Sequence, residues 1–212
     1  MTSSQFPQDL VVLVADKNME HALKGILSRP KALNIRKSIS VTYYIHPEND
    51  PGCFKEGHLL LKPFIGRFRH ALLLFDYEGS GQERKSNSKD LEAEIEKRLS
   101  ETGWSDRAAV VVIDPELEIW VWSNSVHIDY ALGWKDKRPC LREWMKKNGY
   151  LTEGKDKPDT PKKTLEDALR IAKKPRSSSI YKEIARKVSL ERCVDPSFVR
   201  LKAILQKWFP VE

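Results

Sequence analysis

The chain has 212 residues, of which 40% are hydrophobic and 32% charged, so it can form one domain, with or without an appendage, around a buried core. This composition excludes wholesale disorder, and the apolar runs are far shorter than the roughly 20 residues that span a bilayer. Three widely spaced cysteines, Cys53, Cys140 and Cys193, indicate a reducing compartment and argue against a disulfide framework or a structural zinc site. No basic segment followed by an apolar stretch opens the chain, so we expect a cytoplasmic protein.

Positive charge is concentrated in the last third of the chain. Residues 1–134 carry 16 Lys and Arg against 19 Asp and Glu, whereas residues 135–212 carry 21 against 11. The net charge of +7 therefore comes entirely from the second segment. Such a surface usually faces an anion, most often nucleic acid, although a solvated lysine-rich surface would give the same composition.

The first segment has the pattern of an α/β fold. Four apolar runs predict strands, at residues 10–14, 39–45, 71–75 and 108–113. The second of these alternates enough to lie near an edge of the sheet. Helical spacing over 19–27 and 91–99 predicts crossover helices, and residues 119–122 predict a further short strand. We therefore expect a mainly parallel sheet flanked by helices.

After Trp134 the pattern changes to helices. Residues 147–163 are polar and rich in Lys and Pro, which predicts a loop or linker. Three helices are predicted to follow: one capped by Thr164, one carrying Ile180, Ile184 and Val188, and one opened by Asp195 and Pro196. Trp208 lies on the apolar stripe of the last helix and is expected in the core. We divide the chain into an α/β domain, 1–134, and a basic helical extension, 135–212, packed on or linked to it.

Three of the predicted strands end in an aspartate, at Asp16, Asp76 and Asp114. The carboxyl ends of parallel strands share one edge of the sheet, where ligands bind, so these carboxylates should converge. Further acids follow closely, at Glu20, Glu78, Glu116 and Glu118. A tight carboxylate cluster is usually neutralised by a hard cation, and we expect Mg²⁺ or Mn²⁺. Helix caps and surface charge are the alternative explanation.

The spacings within this acidic set favour a single pocket. Asp16 and Glu20 should project from the same helical turn, and Asp76 and Glu78 should point to the same side of an extended segment. Gly79 and Gly81 then free the backbone to turn and let a phosphate approach its amides.

Other residues are candidates for supporting roles. His46 and Asp50 follow the second strand and could supply a general base or orient a metal ligand, the alternative being a tight Pro/Gly turn. Basic side chains placed to meet phosphate are Arg67, Arg69, Lys162, Lys163, Lys173, Lys174, Arg176, Arg186 and Lys187. The role of Tyr181 is left open.

Two segments, VLVADKNMEHAL and LLLFDYEGSG, resemble the metal motifs of Toprim domains, the α/β module of topoisomerases, primases and OLD-type nucleases. The resemblance places Asp16 where the family usually has Glu, so either Asp16 or Glu20 would contact the metal. Asp76 and Glu78 correspond to the paired acids of the second motif. PELEIWVWSN and the terminal SF…L…WFP pattern are similar to small defence-associated Toprim-like proteins of bacteria, which implies that Glu118 joins the acidic site.

The resemblance implies a Toprim-like (Rossmann-like) fold and a metal-dependent nuclease. We expect a Mg²⁺-dependent phosphodiesterase that acts on DNA or on structured RNA such as tRNA, as part of an antiphage defence system. Asp16, Glu20, Asp76 and Glu78 would be catalytic and, with Asp114 and Glu118, would hold the metal. The alternatives are a non-catalytic nucleic-acid-binding or scaffold subunit of a larger complex, and a toxin-like enzyme acting on a different phosphoester.

Overall fold

The computed structural model describes residues 6–123 and 125–211 and contains a four-stranded, all-parallel sheet. Its strands are β1 (Gln8–Val14), β2 (Val41–Ile45), β3 (Phe68–Asp76) and β4 (Ala108–Ile113). They are ordered β2-β1-β3-β4, with helices on both faces, so the expected α/β class is confirmed. The four predicted strands lie where the apolar runs indicated, and β2 lies at an edge of the sheet.

Helices make up most of the remaining chain. They are α1 (Lys17–Leu27), α2 (Pro30–Leu33), α3 (Asn49–Leu61), α4 (Ser88–Glu101), α5 (Glu118–Val121), α6 (Val126–Ala131), α7 (Leu141–Lys147), α8 (Pro161–Ala172), α9 (Ser178–Lys187) and α10 (Pro196–Trp208). Short 3₁₀ turns cover Lys62–Phe64 and Ser105–Arg107. Among the residues that the structure describes, no helix combines the length and the apolar character that crossing a membrane requires.

The strand register brings the strand ends into one row. Val14 pairs with both Ile45 and Leu74, and Asp76 pairs with Ile113. Val14 and Leu74 are paired, and Asp16 and Asp76 each follow one of them by two residues. Asp16 and Asp76 therefore lie side by side at the carboxyl ends of β1 and β3. The sequence pattern predicted this shared edge, and the register supplies the alignment.

Helix α3 is an element that the sequence pattern did not predict. The segment opens with Asn-Asp-Pro-Gly, which is typical of a turn, but a parallel pair needs a crossover, and α3 supplies the one between β2 and β3. Gly57 of α3 permits close packing on the sheet, because a Cβ at this position would lie 2.9 Å from a methyl of Leu73.

The predicted strand at 119–122 is wrong, because these residues form the short helix α5 and its end. Its tryptophans find partners in the carboxyl-terminal region: Trp122 donates through Nε1 to the Pro161 carbonyl (3.0 Å), and Trp120 donates to Oγ of Ser197 (2.8 Å). These tertiary hydrogen bonds outweigh the β propensity of the segment.

Two details of the carboxyl-terminal helices also differ from the prediction. Helix α8 begins at Pro161 after Thr160, whereas Thr164 lies inside it and donates its hydroxyl to the Thr160 carbonyl (2.7 Å). Proline fits the first helical position because its φ is preset, which moves the start upstream. Trp208 is only partly buried and stacks on His70. The predicted Asp195 cap of α10 is confirmed.

Helix α9 packs closely on α1 at Gly25. A Cβ on Gly25 would lie 2.7 Å from Cβ of Ala185 and 2.8 Å from the Lys182 carbonyl oxygen, so only glycine permits this approach. Nearby, Arg29 donates to the carbonyls of Ala185 (3.0 Å) and Val188 (2.5 Å) at the end of α9. This contact brings side chains of α9 to the carboxyl edge of the sheet.

The outer edge of β4 is closed by side chains. Glu96 accepts the Val110 N–H (2.9 Å) and Glu92 accepts the Val112 N–H (3.0 Å), both from α4. Arg200 of α10 donates to the Val110 carbonyl (3.0 Å) and pairs with both glutamates. In the described part of the chain, side chains rather than a further strand therefore hydrogen-bond to Val110 and Val112 at this edge.

Candidate active site

Asp76 is a buried acid at the carboxyl edge of the sheet, with 9% of its surface exposed. It ends β3, and its Oδ1 accepts the N–H of Leu117 (2.8 Å), just before α5. Burial raises the pKa of Asp76 well above its usual value, and the carboxylates of Asp50, Glu118 and Asp16 raise it further, while Lys162 opposes them. Asp76 therefore lies among three other acids.

Asp50 is bound directly to the backbone of Asp76. It lies in the first turn of α3, and its Oδ1 accepts the Asp76 N–H (2.8 Å). Burial raises the pKa of Asp50, the hydrogen bond from Asp76 lowers it, and the Asp16 carboxylate raises it again. Of the two candidates for supporting roles, His46 and Asp50, it is Asp50 that lies with Asp76 and Asp16.

Asp16 caps helix α1 and also lies close to Asp50 and Asp76. Its Oδ1 accepts the Met19 N–H at the start of α1 (2.8 Å), as the helix-cap alternative predicted. Its Oδ2 accepts from the Asn18 side chain (3.2 Å), and Asn18 in turn accepts from the hydroxyl of Ser178 on α9 (2.9 Å). The cap fixes the carboxylate in place beside Asp76 and Asp50.

Glu118 is the first residue of α5, which follows β4, and it is only 2% exposed. Its Oε1 accepts the hydroxyl of Tyr181 (2.5 Å), and the Arg176 guanidinium lies 3.3 Å away. Both partners come from the carboxyl-terminal region, which the close α1–α9 contact holds against the sheet. Tyr181, whose role the sequence left open, therefore positions Glu118.

Lys162 is a second basic side chain, besides Arg176, that lies against the acids. Its backbone N–H donates to Oε1 of Glu116 (2.8 Å), and its ammonium lies 3.6 Å from Oε2 of the same residue. Burial disfavours the charged lysine, but the carboxylates of Glu118, Glu116 and Asp76 together raise its pKa above the usual value. It neutralises only part of the acidic charge.

The group defined by Asp16, Asp50, Asp76, Glu116 and Glu118, hereafter the acidic group, holds more acids than bases. Lys162 and Arg176 are the cations in contact with it, and Arg176 also pairs with Glu166. Among residues 6–123 and 125–211, no three Asp, Glu, His or Cys side chains are arranged to enclose a metal ion. Mg²⁺ usually takes only one or two protein carboxylates and keeps several waters, so this oxygen donor set fits Mg²⁺ without such a cage.

Three predicted acids lie outside the acidic group. Glu20 pairs with Lys24 (2.5 Å) along α1. Glu78 is exposed because β3 ends at Asp76 and the chain turns, so the assumption of an extended Asp76–Glu78 pair is wrong. Its charge still reaches Glu116, whose pKa is raised by burial and further by Glu118 and Glu78. Asp114 is exposed and lies 3.4 Å from the Ser88 hydroxyl.

The glycine loop after β3 already holds an anion of the protein itself. Gly79 and Gly81 have φ of 96° and 76°, and both donate their N–H groups to Oε1 of Glu83, at 2.6 and 3.2 Å. The amides that the sequence offered to a phosphate are therefore occupied by Glu83. The tight turn itself was correctly predicted.

His46 is buried beside α3 and makes the local hydrogen bond that the turn alternative predicted, accepting the Glu48 N–H at Nδ1 (3.1 Å). Burial lowers the pKa of His46, although Glu48 and Glu56 oppose this. Glu48 and Glu56 lie outside the acidic group, so the observed contacts of His46 are those of the loop before α3.

The predicted phosphate contacts separate into two regions. Arg67 and Arg69 lie at the start of β3, about 30 and 23 Å from Asp76 at about 3.3 Å per residue. Lys162 and Arg176 contact the acidic group, and Lys174 donates to the Ala131 carbonyl (2.6 Å). The remaining basic residues are exposed on or beside α8 and α9: Lys163, Lys173, Arg186 and Lys187.

Sequence reasoning undervalued Asp50 and missed the placement of Lys162. Asp50 follows β2, so the rule that placed Asp16 and Asp76 at the strand ends could have included it. Nothing in the sequence connects Lys162 with Asp76, because α8 reaches the site only through tertiary packing.

No family model, curated protein or solved structure matches the chain.

Proposed function

We propose that the chain is a divalent-cation-dependent phosphodiesterase acting on nucleic acid. The observation that carries the proposal is the crowding of Asp16, Asp50 and Glu118 around the buried Asp76, with a deficit of basic partners. Such crowding is costly for folding and is typical of sites built for a cation. The Toprim resemblance of the segments around Asp16 and Asp76 supports the same chemistry.

The residues of the chain divide the work. Asp76 and Asp50 would hold the cation, with Asp16 in reach, because these carboxylates lie together at the strand ends. A bound Mg²⁺ would polarise a phosphoryl oxygen and lower the pKa of a bound water. Tyr181 and Arg176 would fix the Glu118 side chain in one orientation, so that its carboxylate stays close to Asp76.

Lys162 supplies a positive charge beside the acids. Its side chain is 47% exposed, so it can meet a phosphate from solvent while staying near Glu116. The exposed basic residues on α8 and α9 extend this positive surface. Contacts of this type give affinity that depends on salt and little on sequence, which suits either DNA or structured RNA. The Toprim resemblance is also the basis for proposing a role in antiphage defence, and the widely spaced cysteines are the basis for proposing a cytoplasmic location.

The test is cleavage of plasmid DNA, single-stranded DNA and tRNA with Mg²⁺ or Mn²⁺, combined with calorimetry of cation binding. We expect Asp76→Asn to lose cation binding and at least about 100-fold in cleavage, because removing a metal ligand removes the charge stabilisation at the phosphate. Asp136→Asn, an exposed aspartate between α6 and α7, is the matched control. Cleavage that survives in Asp76→Asn would contradict the proposal.

A second candidate function is a non-catalytic nucleic-acid-binding subunit. It is favoured by the position of Lys162, whose ammonium supplies part of the charge that a cation would otherwise supply, and by the lack of a three-ligand cage in the described residues. In that case wild type and Asp76→Asn would bind nucleic acid equally well and neither would cleave it.

A further inference from the structure

The glycine loop presents two backbone N–H groups to a single point. Gly79 and Gly81 both direct their amides at Oε1 of Glu83, and their positive φ angles produce this concave arrangement. Converging amides of this kind form a binding place for an anion, including phosphate. We call this place the amide seat.

The loop that forms the amide seat is held by contacts that do not involve the Glu83 carboxylate. Tyr77 donates its backbone N–H to the Ile113 carbonyl (2.8 Å), and its hydroxyl lies 2.9 and 2.8 Å from the carbonyls of Glu83 and Ser86. Ser80 is fully buried and accepts the Gln82 N–H at its hydroxyl (3.2 Å). The seat should therefore keep its shape when the Glu83 side chain leaves.

Glu83 itself is free to leave because it is exposed to solvent. Hydrogen bonds from its own backbone N–H and from those of Gly79 and Gly81, together with nearby Arg84, lower the pKa of Glu83. The seat thus favours a negative charge, and Glu83 meets this preference with a side chain that solvent can replace.

The amide seat borders the acidic group. A Cβ built on Gly79 would lie 3.8 Å from Oδ2 of Asp50, whose other oxygen accepts the Asp76 N–H. A phosphate in the seat would therefore lie beside the carboxylates that the proposed function assigns to a cation. A cation between the two would relieve the repulsion between phosphate and carboxylates.

We propose that the amide seat binds a phosphate group of the substrate and that the Glu83 side chain occupies it in the free protein as an internal competitor. The proposal rests on the proposed function for the identity of the substrate, but its anion-binding part does not depend on catalysis. Phosphate enters as Glu83 swings out to solvent, and no covalent step is involved.

The test is a titration with inorganic phosphate, without divalent cation, followed by the amide resonances of Gly79 and Gly81. Glu83→Gln keeps an oxygen that can accept the same N–H groups but lacks the charge, so it competes less well. We expect it to bind phosphate about fivefold more tightly than wild type, since hydrogen bonds to charged groups are the stronger ones. Glu153→Gln, an exposed loop glutamate, makes the same change in net charge and should bind as wild type does.

A glycine substitution separates the seat from general charge effects. Gly79→Ala in the Glu83→Gln background should abolish the gain, because alanine disfavours the φ of 96° that aims the amide. Gly66→Ala has open space around it and serves as control. Equal phosphate binding by wild type and Glu83→Gln, no binding by either, or a gain that survives Gly79→Ala, would each overturn the proposal. A chain that never cleaves nucleic acid but shows the gain would overturn only the proposed function.

Discussion

Two groups of buried carboxylates differ in how their charge is balanced. At the outer edge of β4, Glu92 accepts a backbone N–H and pairs with Arg200, which also pairs with Glu96. At the carboxyl edge of the sheet, Asp76 accepts one backbone N–H but is surrounded by Asp50, Glu118 and Asp16. Glu92 and Asp76 are both buried, and among the described residues the first group alone has a cation in direct contact with each of its acids.

The difference separates a structural from a functional use of buried acids. Burial raises the pKa of Glu92 above its usual value, and Glu96 adds to this, but the Val112 N–H and Arg200 oppose the rise. For Asp76 burial raises the pKa and three of the four neighbouring charges raise it further. A carboxylate that its neighbours destabilise lowers the stability of the fold, so such an arrangement persists where it serves binding or catalysis.

The largest expected effect on stability comes from removing the cation of the structural group. Arg200→Met leaves Glu92 buried without its partner, and we expect a loss of about 2 kcal/mol in the free energy of unfolding at neutral pH. This is below the 3–5 kcal/mol of fully buried pairs because Arg200 is 36% exposed. Denaturant unfolding measures the loss, and Arg186→Met on the exposed face of α9 is the control. A loss equal to that of the control would remove the distinction between the two groups.

Removing a charge from the acidic group should stabilise the fold, in contrast to the loss of stability expected for Arg200→Met. The folded pKa of Asp76 lies above its unfolded value, so ionisation costs stability as pH rises above about 3.8. Asp76→Asn should therefore unfold a few degrees above wild type near neutral pH, in the absence of divalent cation. The difference should shrink as pH falls towards the ordinary aspartate pKa, because wild type is then protonated as well.

Thermal unfolding across this pH range checks the prediction. Asparagine can still accept the Leu117 N–H, so the substitution leaves that hydrogen bond in place. A variant that unfolds below wild type at every pH would show that the acidic group is balanced, like the β4 edge.

The close contact between α1 and α9 at Gly25 allows a test of how the acidic group depends on the carboxyl-terminal helices. Gly25→Ala forces α9 away from α1, and we expect a loss of about 1–2 kcal/mol in the free energy of unfolding, as in overpacked cores. Tyr181 and Arg176 would move with α9, so cleavage should fall as well, whereas the β4 edge should be unaffected. Unchanged activity in a destabilised variant would show that Glu118 does not need these partners.

The smallest effect concerns the basic surface. Lys163 lies next to Lys162 on α8, whereas Arg67 precedes β3, at the end of that strand opposite to Asp76. Lys163→Ala should reduce the salt dependence of nucleic-acid binding by about one unit of slope, with little loss of sequence preference. Arg67→Ala should leave this slope close to that of wild type. The reverse result would place the nucleic acid at the amino ends of the strands.

Local patterns were sufficient for the strands and for part of the site. Apolar runs located all four strands, and the acids that follow them indicated Asp16 and Asp76, because parallel strands end at a common edge. The same patterns failed where a longer contact decided the structure. Residues 119–122 have strand propensity but form α5, since Trp120 and Trp122 bond to residues of the carboxyl-terminal region.

The acids considered for the site divide in the same way. Glu20 and Glu78 stand at the spacings expected of metal ligands, yet one pairs with Lys24 and the other faces solvent. Asp50 looked like part of a turn, and only the packing of α3 brings its carboxylate to the Asp76 N–H. Spacing along the chain could not distinguish these cases, because each depends on which way a side chain leaves its helix or turn.

The sequence by itself determined the α/β class, the common edge of the strands and the presence of acids there, because periodicity and strand ends are local properties. Tertiary structure alone decided that Lys162, Arg176 and Tyr181 meet those acids and that Glu83 occupies the amides of the glycine loop. The physical reason is that burial and charge balance depend on neighbours distant in sequence, which come together only when α8 and α9 pack against the sheet.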